Sequence, residues 1–362
     1  MGGDVLKIRS TVIPLALSIA MSGGLAYAQS APALSIAPND LQGIQTQAPA
    51  QQLSDAPLRQ HIPAPPTHMA QVSRGKGVFL FYSFVSTSPI YWENFSPESV
   101  INQAKLAGLS YLEIRVGYSN SLQIAVGAQQ RWFNQILDLA RRKGIRVIGW
   151  LVPYTNNSDS STVQASLNGD WQVASRIAHY QTPTGAHLSG IAVDLELGPL
   201  YFGGNTTALV QYVDGVRNIV GPGYPLISIV PDPARTGLTS SESGTSPYYP
   251  YNTLATLSNV LQPTAYWHEY YVSDDFNYTS AYVQNFIVAA INSTRQQAQN
   301  SSIPVNVALQ TFGNRVVGYP SVTEVSTALT AANTAGAVGV SAFQWATLPP
   351  YWAILSQYHW QP

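Results

Sequence analysis

Cysteine is absent from the 362-residue sequence, which excludes disulfides, thiolate metal sites and cysteine nucleophiles together. Stability must therefore come from a core alone, and a chain this long with 45% apolar residues can build one. Charge is also scarce. Asp, Glu, Lys and Arg make up 10% of the chain, against roughly 25% in an average soluble protein. The formal net charge of -1 and the lack of any Lys/Arg block argue against a nucleic-acid partner. Low charge would suit a membrane protein, yet after residue 30 no apolar run approaches the ~20 residues a span needs. The polar surface must then be built from Ser, Thr, Asn, Gln and Tyr. Such a surface gains little net charge as pH falls, so self-repulsion in acid is small and the fold is expected to tolerate acid. The histidines form no H-x-x-x-H or H-E-x-x-H cluster, so no metal or other cofactor is expected.

The chain opens on what reads as an export address. Lys7 and Arg9 precede the apolar run Val12 to Ala20, and small residues lead to Ala26-Tyr27-Ala28. This is the basic, apolar, A-x-A order of a signal peptide, residues 1–28, and it predicts cleavage before Gln29 and a secreted, extracellular or periplasmic product. Residues 29–75 are Ala- and Gln-rich, with Pro32, Pro38, Pro49, Pro57, Pro63, Pro65 and Pro66 and little periodicity. Such a stretch cannot bury enough apolar surface to offset its ordering entropy, so a disordered linker is expected.

From residue 76 onward, short β-branched and aromatic runs alternate with helical patterns. Strands are expected at 77–85, 111–118, 145–152, 190–196, 225–230, 260–267, 305–310 and 339–345. Ser96 followed by Pro97 marks a helix start, and Arg141-Arg142-Lys143-Gly144 marks a cationic helix end with a glycine stop. Helices are clearest at 279–297 and 321–335. Strand-helix alternation implies a parallel sheet, and eight such units imply a closed (β/α)8 TIM barrel. An open doubly wound sheet would carry a G-x-G-x-x-G loop after an early strand, and none is present.

In such a barrel the reacting groups gather at the C-terminal strand ends. The fourth strand ends in Asp194-Leu195-Glu196. Alternation puts Ala192, Asp194 and Glu196 on one face, with Val193 and Leu195 against the helices, so both carboxylates point into the barrel mouth. Two acids so close repel, and one should be held protonated. An internal ion pair with Arg115 is the structural alternative. Other strand ends offer Tyr266, Trp267, His268 and Glu269, then Asp232, Gln310, and Phe343 with Trp345 on one face of the eighth strand. Aromatic faces stack on sugar rings, while amides and carboxylates bind hydroxyls. The loop from Pro233 to about Asn252, ending in Pro247-Tyr-Tyr-Pro-Tyr251, would suit a cleft wall with tyrosine platforms.

Ser189-Gly-Ile-Ala-Val-Asp-Leu-Glu196 resembles the fourth-strand signature Asp-Gly-x-Asp-x-Asp-x-Glu of the chitinase-type, family 18 glycoside hydrolases. The resemblance implies a secreted hydrolase cleaving a polymeric glycan, with Glu196 as general acid and Asp194 orienting a substrate acetamido group whose oxygen is the nucleophile. It further implies that Tyr266 holds the acetamido carbonyl and that Trp345, or Phe343 in another register, lies under the scissile sugar. Ser189 and Ala192 replace two aspartates of the signature, and Trp267 stands where an aspartate is usual. The D-x-E also resembles family 25 muramidases, in which Glu269 or Asp232 would supply the partner acid. A glycan-binding protein on a degenerate hydrolase barrel is the reading from another class. The expected partner is an oligosaccharide or polysaccharide, met by a monomer.

Overall fold

The protein's structure, a computed structural model, describes residues 67–82, 88, 91–124, 127–153, 160–198, 201–234, 249–269, 278–313 and 318–361. The address segment and most of the expected linker lie outside the described residues. Eight parallel strands form the wall: β1 Gly75–Leu80, β2 Tyr111–Tyr118, β3 Arg146–Val152, β4 Gly190–Asp194, β5 Leu226–Pro231, β6 Val260–Ala265, β7 Asn306–Gln310 and β8 Gly339–Phe343. Each pairs with the next, and β1 pairs with both β2 and β8, so the sheet closes on itself. Helices follow the strands in order: α1 Pro97–Leu106, α2 Gly127–Lys143, α3 Ser160–Ala178, α4 Thr206–Val220, α5 Tyr251–Leu257, α6 Ser280–Gln297, α7 Val322–Thr334 and α8 Trp352–Gln357. The expected (β/α)8 barrel is therefore present. No helix of the described residues is long and apolar enough to cross a membrane.

Local chemistry explains the helix starts. Ser96 accepts the Ser99 N–H at 3.2 Å with Pro97 at the first helical position, and Thr279 accepts the Tyr282 N–H at 3.2 Å. Ser321 and Glu324 exchange backbone hydrogen bonds as a capping box on α7. Strand ends follow a different rule. Aromatic and β-branched sequence continues past β1, β6 and β8, but pairing stops where the wall ends, so β6 closes at Ala265 and β8 at Phe343.

Alternation along the strands divides the apolar residues into two layers. Phe79, Tyr111, Ile148, Trp150, Ala192, Ile227, Ile229 and Ala308 fill the barrel interior. Leu80, Leu112, Ile114, Val147, Ile191 and Val193 pack outward on the helices. The bottom of the barrel is closed by a 3-10 helix, Thr67–Ser73, which places Ala70 and Val72 in the interior layer. This shortens the expected linker: its last residues are part of the fold. Arg146 donates to the Gln71 carbonyl and, at 2.6 Å, to that of Arg74, fixing the plug. Two glycines make the closure possible. A Cβ on Gly77 would lie 2.0 Å from the Tyr111 ring, and one on Gly339 would lie 2.1 Å from the Ser73 carbonyl oxygen.

Three of the cations, Lys76, Arg217 and Arg295, are spent on carbonyl groups. Lys76 donates to the carbonyls of Ala107 at 3.1 Å, Tyr358 at 2.6 Å, and Leu355. Arg217 reaches those of Leu257, Gly221 and Tyr224, and Arg295 those of Ala335 and Gly336. These side chains satisfy carbonyls that helix ends leave unpaired. Among the described residues, His268–Glu324 at 2.6 Å is the only ion pair.

Candidate active site

The end of β4 carries the two acids as alternation requires. Asp194 is the last strand residue, level with Ile229 of β5, and the Leu195 N–H continues onto the Ile229 carbonyl at 3.0 Å. Leu195 is fully buried on the helix side, so Asp194 and Glu196 share the mouth side with Ala192. Their surroundings differ. Asp194 is buried and Glu196 is exposed. Burial pushes the Asp194 carboxyl well above the usual carboxylate range, and the neighbouring Glu196 charge adds to this. The Trp150 indole N–H beside Asp194 opposes the shift by favouring the anion, although its geometry falls short of a hydrogen bond. Arg115 gives no relief. It donates to Gln123 at 3.0 Å and to the Tyr82 carbonyl at 2.8 Å, with its guanidinium 4.0 Å over the Phe81 ring. The expected alternative of an ion pair with Arg115 is therefore not formed, and burial favours the neutral form of Asp194.

Around the acids lie aromatic rings from several strands. Trp150 meets Phe79 at 5.2 Å and Phe343 at 6.0 Å, while Phe79 and Phe343 are 5.4 Å apart. Tyr266 continues the group, 5.0 Å from Phe312 and 5.9 Å from Phe343. The edge-to-face contacts are the favoured aromatic geometry and make a stiff apolar floor. Burial, with Glu269, Asp194 and Glu196 nearby, pushes the Tyr266 hydroxyl well above its ordinary titration range, so it stays a donor. Tyr201, in the loop after β4, hydrogen-bonds Glu196 through its hydroxyl.

Several expected site residues fall elsewhere. Trp267 is fully buried, and its indole N–H donates to Glu324 of α7 at 2.8 Å, so it faces the helices and not the mouth. Trp345 does not share a face with Phe343. It begins a 3-10 turn and packs 4.9 Å from Trp352 of α8, because β8 has already ended. Gln310 is fully buried with its amide committed at both ends, accepting the His268 N–H at 2.7 Å and donating to the Phe312 carbonyl at 3.1 Å. Asp232 is fully buried, and its Oδ1 caps the Ala234 N–H at 2.9 Å. Glu269 is half-buried in the turn that carries Tyr266. Residues 235–248 of the long loop lie outside the described residues. Tyr249 and Tyr251 are no platforms: both are buried, bracing the Leu195 and Pro231 carbonyls at 2.8 and 2.9 Å.

Trp150, Phe79, Phe312 and Tyr201 were not among the expected residues. For Trp150 the signal existed, since Ile148, Trp150 and Val152 alternate toward the interior. Tyr201 reaches the acids through a loop path that no periodicity encodes.

No protein-family model matches the chain, and no curated protein matches it by sequence. Solved structures do. The spore cortex-lytic enzyme SleL of Bacillus cereus is 10% identical, with a TM-score of 0.55 over 79% of this chain and 75% of that one. The glycoside hydrolase domain of PgaB from Bordetella bronchiseptica is 12% identical, with a TM-score of 0.53 over 78% and 98%. A chitinase from Bacteroides thetaiotaomicron is 10% identical, with a TM-score of 0.52 over 76% and 90%. The barrel shares its fold with these proteins. At these identities the likeness is one of fold alone.

Proposed function

We propose that this chain is a secreted glycoside hydrolase cleaving a polymeric glycan, with Glu196 as general acid. The observation that carries the reading is the unequal environment of the paired acids at the end of β4. Asp194 is buried and pushed toward its neutral form, whereas Glu196 is exposed at the mouth and meets the Tyr201 hydroxyl. An exposed carboxyl can reach the oxygen of a scissile bond. A buried neutral acid two residues away can supply the proton that Glu196 passes to the leaving oxygen, and is itself left as a carboxylate.

The same arrangement supports an N-acetylhexosamine substrate. Asp194 and Tyr266 together suit an acetamido group, a carboxyl oxygen of Asp194 accepting its N–H and the Tyr266 hydroxyl donating to its carbonyl oxygen, which would attack the anomeric carbon as Glu196 protonates the leaving oxygen. Phe343, half-buried and braced by the buried rings of Phe79 and Trp150, offers an apolar ring face for stacking. In the muramidase-type alternative, burial of Asp232 leaves Glu269 as the partner acid. That the fold neighbours include a spore cortex-lytic enzyme and a chitinase is in keeping with a glycan substrate.

The test is incubation of the purified protein with chitin oligomers, peptidoglycan and common glucans from acidic to neutral pH, with products read by mass spectrometry. Release of N-acetylhexosamine-containing fragments supports the reading. Cleavage confined to glucans would remove the acetamido mechanism. Glycan binding without any cleavage would make the protein a barrel-shaped lectin.

A further inference from the structure

Beneath the two acids the barrel encloses a third. Glu113 of β2 is fully buried in a cluster of side chains from β2, β6, β7 and β8. Its Oε1 accepts from Gln262 at 2.9 Å and from Ser341 at 2.6 Å. Gln262 also donates to Asn306 at 2.8 Å, and Asn306 donates to Tyr111 at 2.7 Å. Two acceptors of the cluster, Glu113 Oε2 and Gln262 Oε1, accept nothing from the protein. Leaving both as bare acceptors is costly at full burial. A proton on Glu113 converts one of them into a donor, at the point where the cluster is short of donors.

We infer that Glu113 is a positioning residue for the reaction at Asp194 and Glu196: neutral while the site works, and inhibitory to it through its charge once ionised. The inference rests on the function proposed above. The groups facing Glu113 leave few ways to neutralise it. Phe79 of β1 and Ile148 of β3 lie level with it and carry no charge. Gln262, Asn306 and Ser341 are neutral on β6, β7 and β8, and Tyr111 lies two residues before it on its own strand. Ile227 and Ile229 fill the β5 side of the interior. The nearby cations turn away: Lys76 and Arg146 to carbonyl groups, and Arg115 to Gln123 and the Tyr82 carbonyl. The remaining titratable groups that feel Glu113 are Asp194 and the Tyr266 hydroxyl of the mouth. Burial raises the Glu113 carboxyl to about 7, partly opposed by the hydrogen bonds from Ser341 and Gln262. Its charge would therefore appear as pH rises through neutrality, under two acids whose working state already needs one proton.

Glu113→Gln tests this, because an amide copies the shape of the neutral acid, keeps the acceptor for Gln262 and Ser341, and cannot ionise. At pH 5 kcat/KM should equal that of the native protein within about twofold. By pH 8 the variant should exceed the native protein by about tenfold, as expected for one ionisation near pH 7. A variant that loses activity along the native alkaline limb overturns the inference. So does an infrared spectrum showing the Glu113 carboxyl ionised at pH 5. Should the native protein cleave no glycan, the proposed reaction is what fails. The inference is then read from the Asp194 carboxyl by ¹³C NMR: a lower titration in Glu113→Gln upholds it, and an unchanged one overturns it.

Discussion

The two ends of the barrel are built from similar residues and use them differently. At the bottom, Tyr111, Asn306, Ser73 and Ser341 tie strands and plug together, and Arg146 holds the plug by its carbonyls. At the mouth, Asp194, Tyr266 and Trp150 are enclosed by aromatic rings, and the Trp150 N–H lacks a hydrogen bond of proper geometry. Polar groups at the bottom tie strands and plug together, whereas at the mouth Glu196 is exposed and Tyr266 half-buried. This is the division expected of a barrel whose stability and chemistry occupy opposite faces. Glu113 lies between the two regions and takes part in both, hydrogen-bonded into the bottom network and electrically felt at the mouth.

The sharpest way to break the comparison is to change each end separately. Glu196→Gln should lower kcat by at least about 10³-fold with little change in folding free energy, as loss of a general acid does. Tyr111→Ala at the bottom should cost about 4 kcal/mol in denaturant unfolding, since it empties a fully buried aromatic site and cuts the network, while KM stays within about threefold. If the bottom variant damaged KM as severely as it damaged stability, the two ends would not be independent.

Smaller effects separate the pH limbs. The folded Glu113 carboxyl is raised from 4.5 to about 7. A raised acid binds more protons folded than unfolded, so stability should fall by about 3 kcal/mol as pH rises through that window and stay low above it. Glu113→Gln should flatten that fall, as chemical denaturation at pH 5 and pH 8 would reveal. Glu324 has the opposite sign. Burial alone would raise it, but hydrogen bonds from His268, Ser321 and Trp267 outweigh this and hold it below its ordinary value. Its contribution is present above the unfolded pKa and lost as pH falls through the folded one. Glu324→Gln should destabilise the protein at pH 7, and by progressively less as pH falls below the ordinary carboxylate range. Lys76, Arg146, Arg217 and Arg295 depend on carbonyls, which acid leaves unchanged. The native melting temperature should therefore not fall between pH 7 and pH 4, and proton uptake by Glu113 should raise it by several degrees; an early loss of structure in that range would remove the acid-tolerance expectation.

The barrel was legible because alternation and capping are local. Val193 and Leu195 turn outward and place Asp194 and Glu196 at the mouth, and Ser96, Thr279 and Ser321 start helices where hydroxyl caps are expected. What escaped depends on where pairing stops. Trp267 and Trp345 follow their strands without a break in composition, yet each lies beyond the paired wall and packs away from the mouth. Gln310 and Asp232 are on the expected strand ends, but backbone groups claim both ends of the Gln310 amide and one Asp232 oxygen first. Glu113 could have been found, since Tyr111 and Glu113 alternate inward on β2; the partners that define its chemistry come from strands about 150 or more residues away.

The most direct test measures hydrolysis and glycan binding of Glu196→Gln beside the native protein on the best substrate of the panel. The account predicts that hydrolysis falls at least about 10³-fold while the dissociation constant stays within about threefold. Hydrolysis retained within about tenfold would contradict it, and so would a native protein that binds glycan as the variant does and cleaves none.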